Sequence, residues 1–256
     1  EVGHGNGLGA SSIQIGLSRH SDKEMIQTAR KYLNKSKLGV HIIPGYATFN
    51  DLKIAIKMGV DIFRVASHCT EADTTQRHIN FIREKGHVAY GVLMMSHMAT
   101  KEKLLSEAKK MKSYGAQAII LMDSAGAYLE NDVKNKISYL KKNLNGTLIG
   151  FHAHNNLGLS IPNSIQAIKS GAGIIDGCAR GFGAGAGNTQ IEVLIAVLNK
   201  INIKTNVNFY KILDCGDIAE KYLIEKIPSI SSNNIVSGMA GVFSGFIKNV
   251  NQLSKD

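Results

Sequence analysis

The stretch Leu148–Ser160, "LIGFHAHNNLGLS", places an apolar run first, two histidines two residues apart at its end, and then a polar, glycine-containing turn. A run that is apolar at successive positions reads as a strand buried on both faces, as in a parallel sheet covered by helices. Residues two apart on a strand share a face, so His152 and His154 project together from its C-terminal end. In parallel α/β folds that end carries the chemistry.

The same layout recurs along the chain. Further strand candidates are "LGVHIIP", "VDIFRVAS", "HVAYGVLMM", "AQAIILMD" and "GIIDGCA", and Glu1–Val2 reads as the tail of another. Between them lie amphipathic stretches such as "SDKEMIQTARKYLNKS", "FNDLKIAIKMG", "TEADTTQRHINFIREKG" and "SIPNSIQAIKSG", several closed by glycine. An open doubly wound sheet and a closed barrel both accommodate this alternation. The strand ends decide between them. Polar groups stand at nearly every one: His4 and Asn6, Pro44–Gly45, Ser67–His68, Ser96–His97, Asp123–Ser124, His152–His154, and Arg180 before a glycine loop. An open sheet gathers ligand groups at one switch point, a barrel around its whole rim, so the expected fold is an α/β (β/α)8 TIM barrel. The count reaches about seven strands where closure needs eight, and the expectation is a barrel lacking its first strand–helix unit. Residues 1–200 are read as the barrel domain and 201–256 as a C-terminal helical segment, a candidate partner-contact region.

Composition narrows the function. The 256 residues are 44% hydrophobic, enough for a large core. No apolar segment approaches the roughly 20 residues of a membrane span, and "EVGHGNGLGASS" lacks the layout of a signal peptide, so a cytoplasmic protein is expected. The net charge of +10 is interleaved with acids in segments such as "KEKLLSEAKKMKSYG", which argues for solvated helix faces and against nucleic acid. Cys69, Cys178 and Cys215 are far apart and outside any CxxC spacing, and are read as reduced structural thiols. Gly181, Gly183 and Ala186 of "GFGAGAGN" fit a loose dinucleotide fingerprint, but "LNKINIKTN" lacks the acid that such a site needs.

Two imidazoles on one side, with a carboxylate from a neighbouring strand, form an open site for a divalent ion. A pair of hydrogen-bonded rim histidines is the alternative, and the spacing alone leaves both open. "TEAD" (70–73) reads as the capped start of a helix, with Thr70 as N-cap and the acids Glu71 and Asp73 in its first turn.

The segments "HGNGLGASS", "RVASHCTEAD", "GVLMMSHMA", "MDSAGAY", "FHAHNNLGLS", "GFGAGAGNTQIEV" and "GMAGVFSGF" occur in the order found in bacterial 4-hydroxy-2-oxovalerate aldolases, a group of metal-dependent TIM-barrel lyases. The resemblance spans nearly the whole chain. It implies retro-aldol cleavage of 4-hydroxy-2-oxopentanoate to pyruvate and acetaldehyde, usually with Mn²⁺, and association with an acylating aldehyde dehydrogenase. His152 and His154 match the family's metal-binding histidines, and Ser124 a serine that contacts the 2-oxo acid; His152 is also placed against the substrate. Asn188 stands where related lyases carry an asparagine near the metal. The alternatives are a related Claisen-type synthase or acyl-CoA lyase, and a non-catalytic partner of the dehydrogenase.

The sequence also departs from that pattern. Family members carry a first strand ending in a motif like Thr-Leu-Arg-Asp-Gly, which supplies an arginine, the aspartate metal ligand and, shortly after, a histidine base. These 256 residues contain no such segment. Phe243 of "GVFSGF" stands at the position of a substrate-contacting tyrosine, and "NVNQLSKD" is a shorter ending than is usual. The implied catalytic base and arginine therefore have no counterpart here, and this chain alone is expected to show little or no turnover. His4, His68 and His97 are read as hydrogen-bonded rim residues, and Glu71 or Asp73 as weak substitutes for the missing carboxylate.

Overall fold

The computed structural model describes residues 1–246; the tail "NVNQLSKD" and the rest of 247–256 lie outside the described residues. The chain packs as two compact units, one formed by 1–94 and 102–120, the other by 95–101 and 121–256.

In the first unit, strands β1 (Gly39–Ile42), β2 (Ile62–His68) and β3 (Val88–Met94) run parallel, with Gly39 opposite Ile62 and Ile62 opposite Val88. Each is followed by a helix, because parallel neighbours need a crossover. Helix α1 (Asp22–Tyr32) precedes β1, α2 (Phe49–Lys57) follows it, α3 (Gln76–Glu84) leads into β3, and α4 (Lys101–Ser113) follows β3. Their starts are chemically marked. Ser21 caps α1 and Thr48 caps α2, each in a reciprocal box with the acid three residues on, Glu24 and Asp51. Gly59 and Gly86, at φ 82° and 78°, take the left-handed turn after α2 and α3 that a side chain would resist.

In the second unit, β5 (Leu148–Ala153) pairs in parallel with the two-residue β6 (Ile174–Ile175), with Gly150 opposite Ile174. Strand β4 (Ala118–Asp123) precedes β5 in the chain. Helices α5 (Glu130–Asn143), α6 (Ser160–Lys169), α7 (Ile191–Lys200), α8 (Phe209–Tyr222) and α9 (Ser232–Ala240) complete it. Leu194, Ile195 and Leu198 of α7 form a buried cluster with Ile161 and Ile165 of α6 and Phe209 and Ile212 of α8. No helix among the described residues is long and apolar enough to cross a membrane.

Two expectations need correction. Glu1–Val2 forms no strand: Val2 N–H makes one ladder-like bond to the Gly39 carbonyl (3.2 Å), and Gly3 at φ 126° then turns the backbone away. Thr70 is not an N-cap, because its hydroxyl is held by His68 Nδ1 at 2.8 Å. A short 3₁₀ turn (Ala72–Thr75) leads into α3 instead, with Glu71 as its N-cap residue. The Ala72 N–H donates to the buried Glu107 carboxylate at 3.0 Å. Among the thiols, Cys69 is buried, but Cys215 is exposed on α8.

Glu107 ties α4 to that turn and also accepts from Lys103 (2.8 Å) and Lys110 (3.0 Å). Burial pushes its carboxyl up, but these donors outweigh burial and hold it below the ordinary 4.5. A carboxyl lowered on folding stabilises the protein above its unfolded value and loses that contribution as pH falls through the folded one. Glu107→Gln should therefore cost about 1–3 kcal/mol at neutral pH. Thermal unfolding should show the gap to wild type closing as pH falls below the ordinary carboxyl value; a gap that is constant with pH would contradict this role.

Candidate active site

The site grows from the ends of β4 and β5. The His154 N–H donates to the Asp123 carbonyl (3.3 Å), which sets His154 beside the Asp123–Ser124 strand end. Beyond the strand, Asn155 Oδ1 accepts from both the N–H and hydroxyl of Ser160, closing the turn that starts α6. Asn156 is fully buried and clamps three segments: it donates to the Ala125 carbonyl and Ser244 Oγ and accepts from Ala186 N–H. The polar half of "HAHNNLGLS" is thus a frame for the histidines.

The two rings lie with centroids 5.2 Å apart, tilted at 54°. His152 Nδ1 meets Asp176 Oδ2 at 3.0 Å, which favours Nδ1–H as donor and leaves Nε2 for a ligand. His154 is buried, and burial, with the neighbouring His152, pushes its pKa down to about 3 against an opposing hydrogen bond to the Ala184 backbone. It is therefore neutral near pH 7, the form that ligates metal. Its Nδ1 is buried with no hydrogen-bond partner. His154 bridges to Asn188 in antiparallel fashion, and Asn188 Oδ1 is likewise buried without a partner, while its amide nitrogen donates to the Phe182 carbonyl and Cys178 Sγ. These donors fit a divalent ion in part: one imidazole is oriented by a carboxylate, and the other is kept neutral with its Nδ1 unpartnered. No group of three His, Cys, Asp or Glu side chains assembles among the described residues.

Ser124 is buried, and its Oγ accepts the Met95 N–H at 2.9 Å. Asp123 accepts Ala127 and Tyr128 N–H groups, so it shapes the turn after β4; burial raises its carboxyl in spite of those bonds. Phe243 is half-buried and packs edge-on against Phe246; its neighbour Ser244 is held by Asn156, two residues past His154. His97 Nε2 reaches the Gly241 carbonyl at 2.9 Å. His4 Nδ1 accepts Asn6 N–H in the first unit, where His68, Glu71 and Asp73 also lie. The glycine loop carries no dinucleotide fold, since it follows the two-residue β6 and folds back to bridge residues 178 and 190.

Asp176, the partner of His152, is not singled out by the sequence; its signal is an acid directly after the apolar pair of β6. Replacing it with Asn should weaken divalent-metal binding by about 10–100-fold while the fold survives. Calorimetric titration with Mn²⁺ checks this, and unchanged affinity would remove Asp176 from the site.

Residues 6–218 match the HMGL-like family. A 4-hydroxy-2-oxovalerate aldolase of Spirochaeta aurantia is 55% identical over all of this chain and 75% of its own length, and one from Pectobacterium atrosepticum is 57% identical with the same coverage. The chain belongs to the 4-hydroxy-2-oxovalerate aldolase branch of the HMGL-like family. The synthase, acyl-CoA lyase and non-catalytic readings are not favoured by these relatives. In fold, this HMGL-like chain matches the N-terminal domain of a Bacteroides vulgatus protein provisionally described as an aldolase, with TM-score 0.75 and 26% identity over 88% of this chain and 77% of that one. The carboxyl transferase domain of Rhizobium etli pyruvate carboxylase superposes with TM-score 0.77 over 92% of this chain and 44% of that one; at 15% identity it speaks for the fold alone.

Proposed function

We propose that this chain is a metal-dependent carbon–carbon lyase that cleaves 4-hydroxy-2-oxopentanoate to pyruvate and acetaldehyde, with Mn²⁺ as the preferred ion, on a (β/α)8 scaffold. The observation that carries the proposal is the His152–His154 pair, one ring oriented by Asp176 and the other neutral and unpartnered at a buried nitrogen. A divalent ion bound there supplies Lewis-acid polarisation of the 2-oxo acid and stabilises the charge that develops as the C–C bond breaks. Ser124 holds the substrate's oxo-acid end: its Oγ accepts from Met95, and its own O–H remains to donate. Phe243 offers an apolar face and no hydroxyl, so orientation of the substrate falls to Ser124 and the histidines.

The barrel domain is assigned to 1–200, and the 201–256 segment to contact with an acylating aldehyde dehydrogenase in the cytoplasm. The apolar side chains that α8 and α9 leave exposed, among them Tyr210, Ile218, Tyr222, Val236 and Met239, support that assignment.

The arginine, aspartate and histidine base that the family resemblance implies are not among these 256 residues, so the test uses the chain joined to a relative's first strand–helix unit. Incubation with 4-hydroxy-2-oxopentanoate and Mn²⁺ should yield pyruvate and acetaldehyde in equal amounts. Acyl-CoA-dependent condensation without aldol cleavage would overturn the proposal in favour of a synthase.

A further inference from the structure

We infer that Lys136, on helix α5, is a positioning residue that aims the Ser124 hydroxyl by holding the turn after β3. The inference rests on the reading of Ser124 as the substrate donor and extends it to a residue outside the site.

The turn is unusual in its backbone. Met95 sits at φ 53°, ψ 34°, a left-handed conformation that an unbranched side chain adopts only when its surroundings hold it there. Its N–H is the group that donates to Ser124 Oγ. The 3₁₀ turn Ser96–Met98 follows directly, and Met98 N–H closes it onto the Met95 carbonyl at 2.9 Å.

Lys136 fastens this turn from the outside. Its ammonium donates to the carbonyls of Ser96 (3.1 Å) and His97 (3.4 Å) and to the Tyr128 hydroxyl (3.1 Å), and it lies 4.5 Å from the centre of the Tyr128 ring. From there the bonds run one way. Tyr128 donates to Ser96 Oγ (3.0 Å), and Ser96 donates to the Met122 carbonyl (2.9 Å), two residues before Ser124. One cation thus orders a chain of hydroxyls that grips both the residue next to the one donating to Ser124 and the strand that leads into Ser124. Such chains strengthen each member by polarising the next. With Met95 fixed as donor, one lone pair of Ser124 is taken and its proton is excluded from that direction.

The test is a double-mutant cycle on pyruvate binding, measured calorimetrically with Mn²⁺ present on the chain joined to a relative's first unit. Ser124→Ala and Lys136→Met should each weaken pyruvate binding by about tenfold, the worth of one well-aimed hydrogen bond. The double variant should be no worse than either single one, and Lys136→Arg should recover most of the loss. Tyr128→Phe, which keeps the ring and removes the relay, should shift affinity in the same direction. Amide exchange at Met95 should accelerate in Lys136→Met, a readout that needs no substrate and that a general loss of stability would not confine to this turn. If Ser124→Ala weakens binding and Lys136→Met does not, or if the two losses multiply, the inference fails alone. Should Ser124→Ala leave pyruvate affinity unchanged, the substrate role of Ser124 fails and the inference falls with it.

Discussion

Pyruvate release from 4-hydroxy-2-oxopentanoate by the 256-residue chain, supplied with Mn²⁺, will fall at least about 10²-fold below release by the same chain joined to a relative's first strand–helix unit. The reason lies in the donor set. The proposed ligands are His152 and His154, of which His154 is neutral, and among the described residues no group of three His, Cys, Asp or Glu forms around them. Imidazoles alone compete poorly with water for a hard dication. The base that would take the 4-hydroxyl proton contributes about 10²–10⁴-fold by itself, and a charge-stabilising donor a further 10²–10³ or so. Parallel progress curves for the two forms measure this. Equal turnover would show that a residue within the 256, His4 or Glu71 for example, performs the missing roles, and that transfer of the family's pattern onto this chain was wrong.

The second large effect is expected at His154. Replacing it with Ala should weaken Mn²⁺ binding by more than about 100-fold, beyond the cost of losing an outer partner such as Asp176. His154 is the better prepared of the two proposed ligands: burial keeps it neutral, so no proton competes for it near pH 7, and its Nδ1 has no protein partner to give up. The same substitution should cost little stability, because the side chain removed leaves its Asp123 contact intact, that bond being made by the His154 backbone N–H. Titration calorimetry with a thermal melt on the same sample separates the two effects. A large fall in melting temperature with metal affinity retained would make His154 a structural residue.

These effects could be anticipated because the elements that carry them are encoded locally. Strand β5 announces itself by its apolar run, and period-two geometry alone put His152 and His154 on one face; their rings are in fact neighbours. The capping boxes at Ser21 and Thr48 are likewise local, each completed within four residues. Local patterns mislead where a distant partner competes with them. "TEAD" has the letters of a capped helix, but the Ala72 N–H is taken by Glu107, 35 residues away, and Thr70 turns to His68. Strand β6 shrank to Ile174–Ile175 because Cys178 pairs instead with Gln190 across the glycine loop. Asp176 and the Lys136–Tyr128–Ser96 relay are invisible for the same reason: their partners lie 24 to 40 residues off along the chain for all but the Lys136–Tyr128 link, and no spacing rule connects them.

The central claim is that His152 and His154 together hold the catalytic ion. Electron spin-echo spectroscopy of Mn²⁺ bound to the protein addresses it directly, because nitrogen ligands modulate the echo and oxygen ligands do not. The account predicts couplings from two imidazole nitrogens, with one lost in His152→Ala and the other in His154→Ala. A bound Mn²⁺ whose echo shows no nitrogen modulation, or the same modulation in both variants, would contradict it.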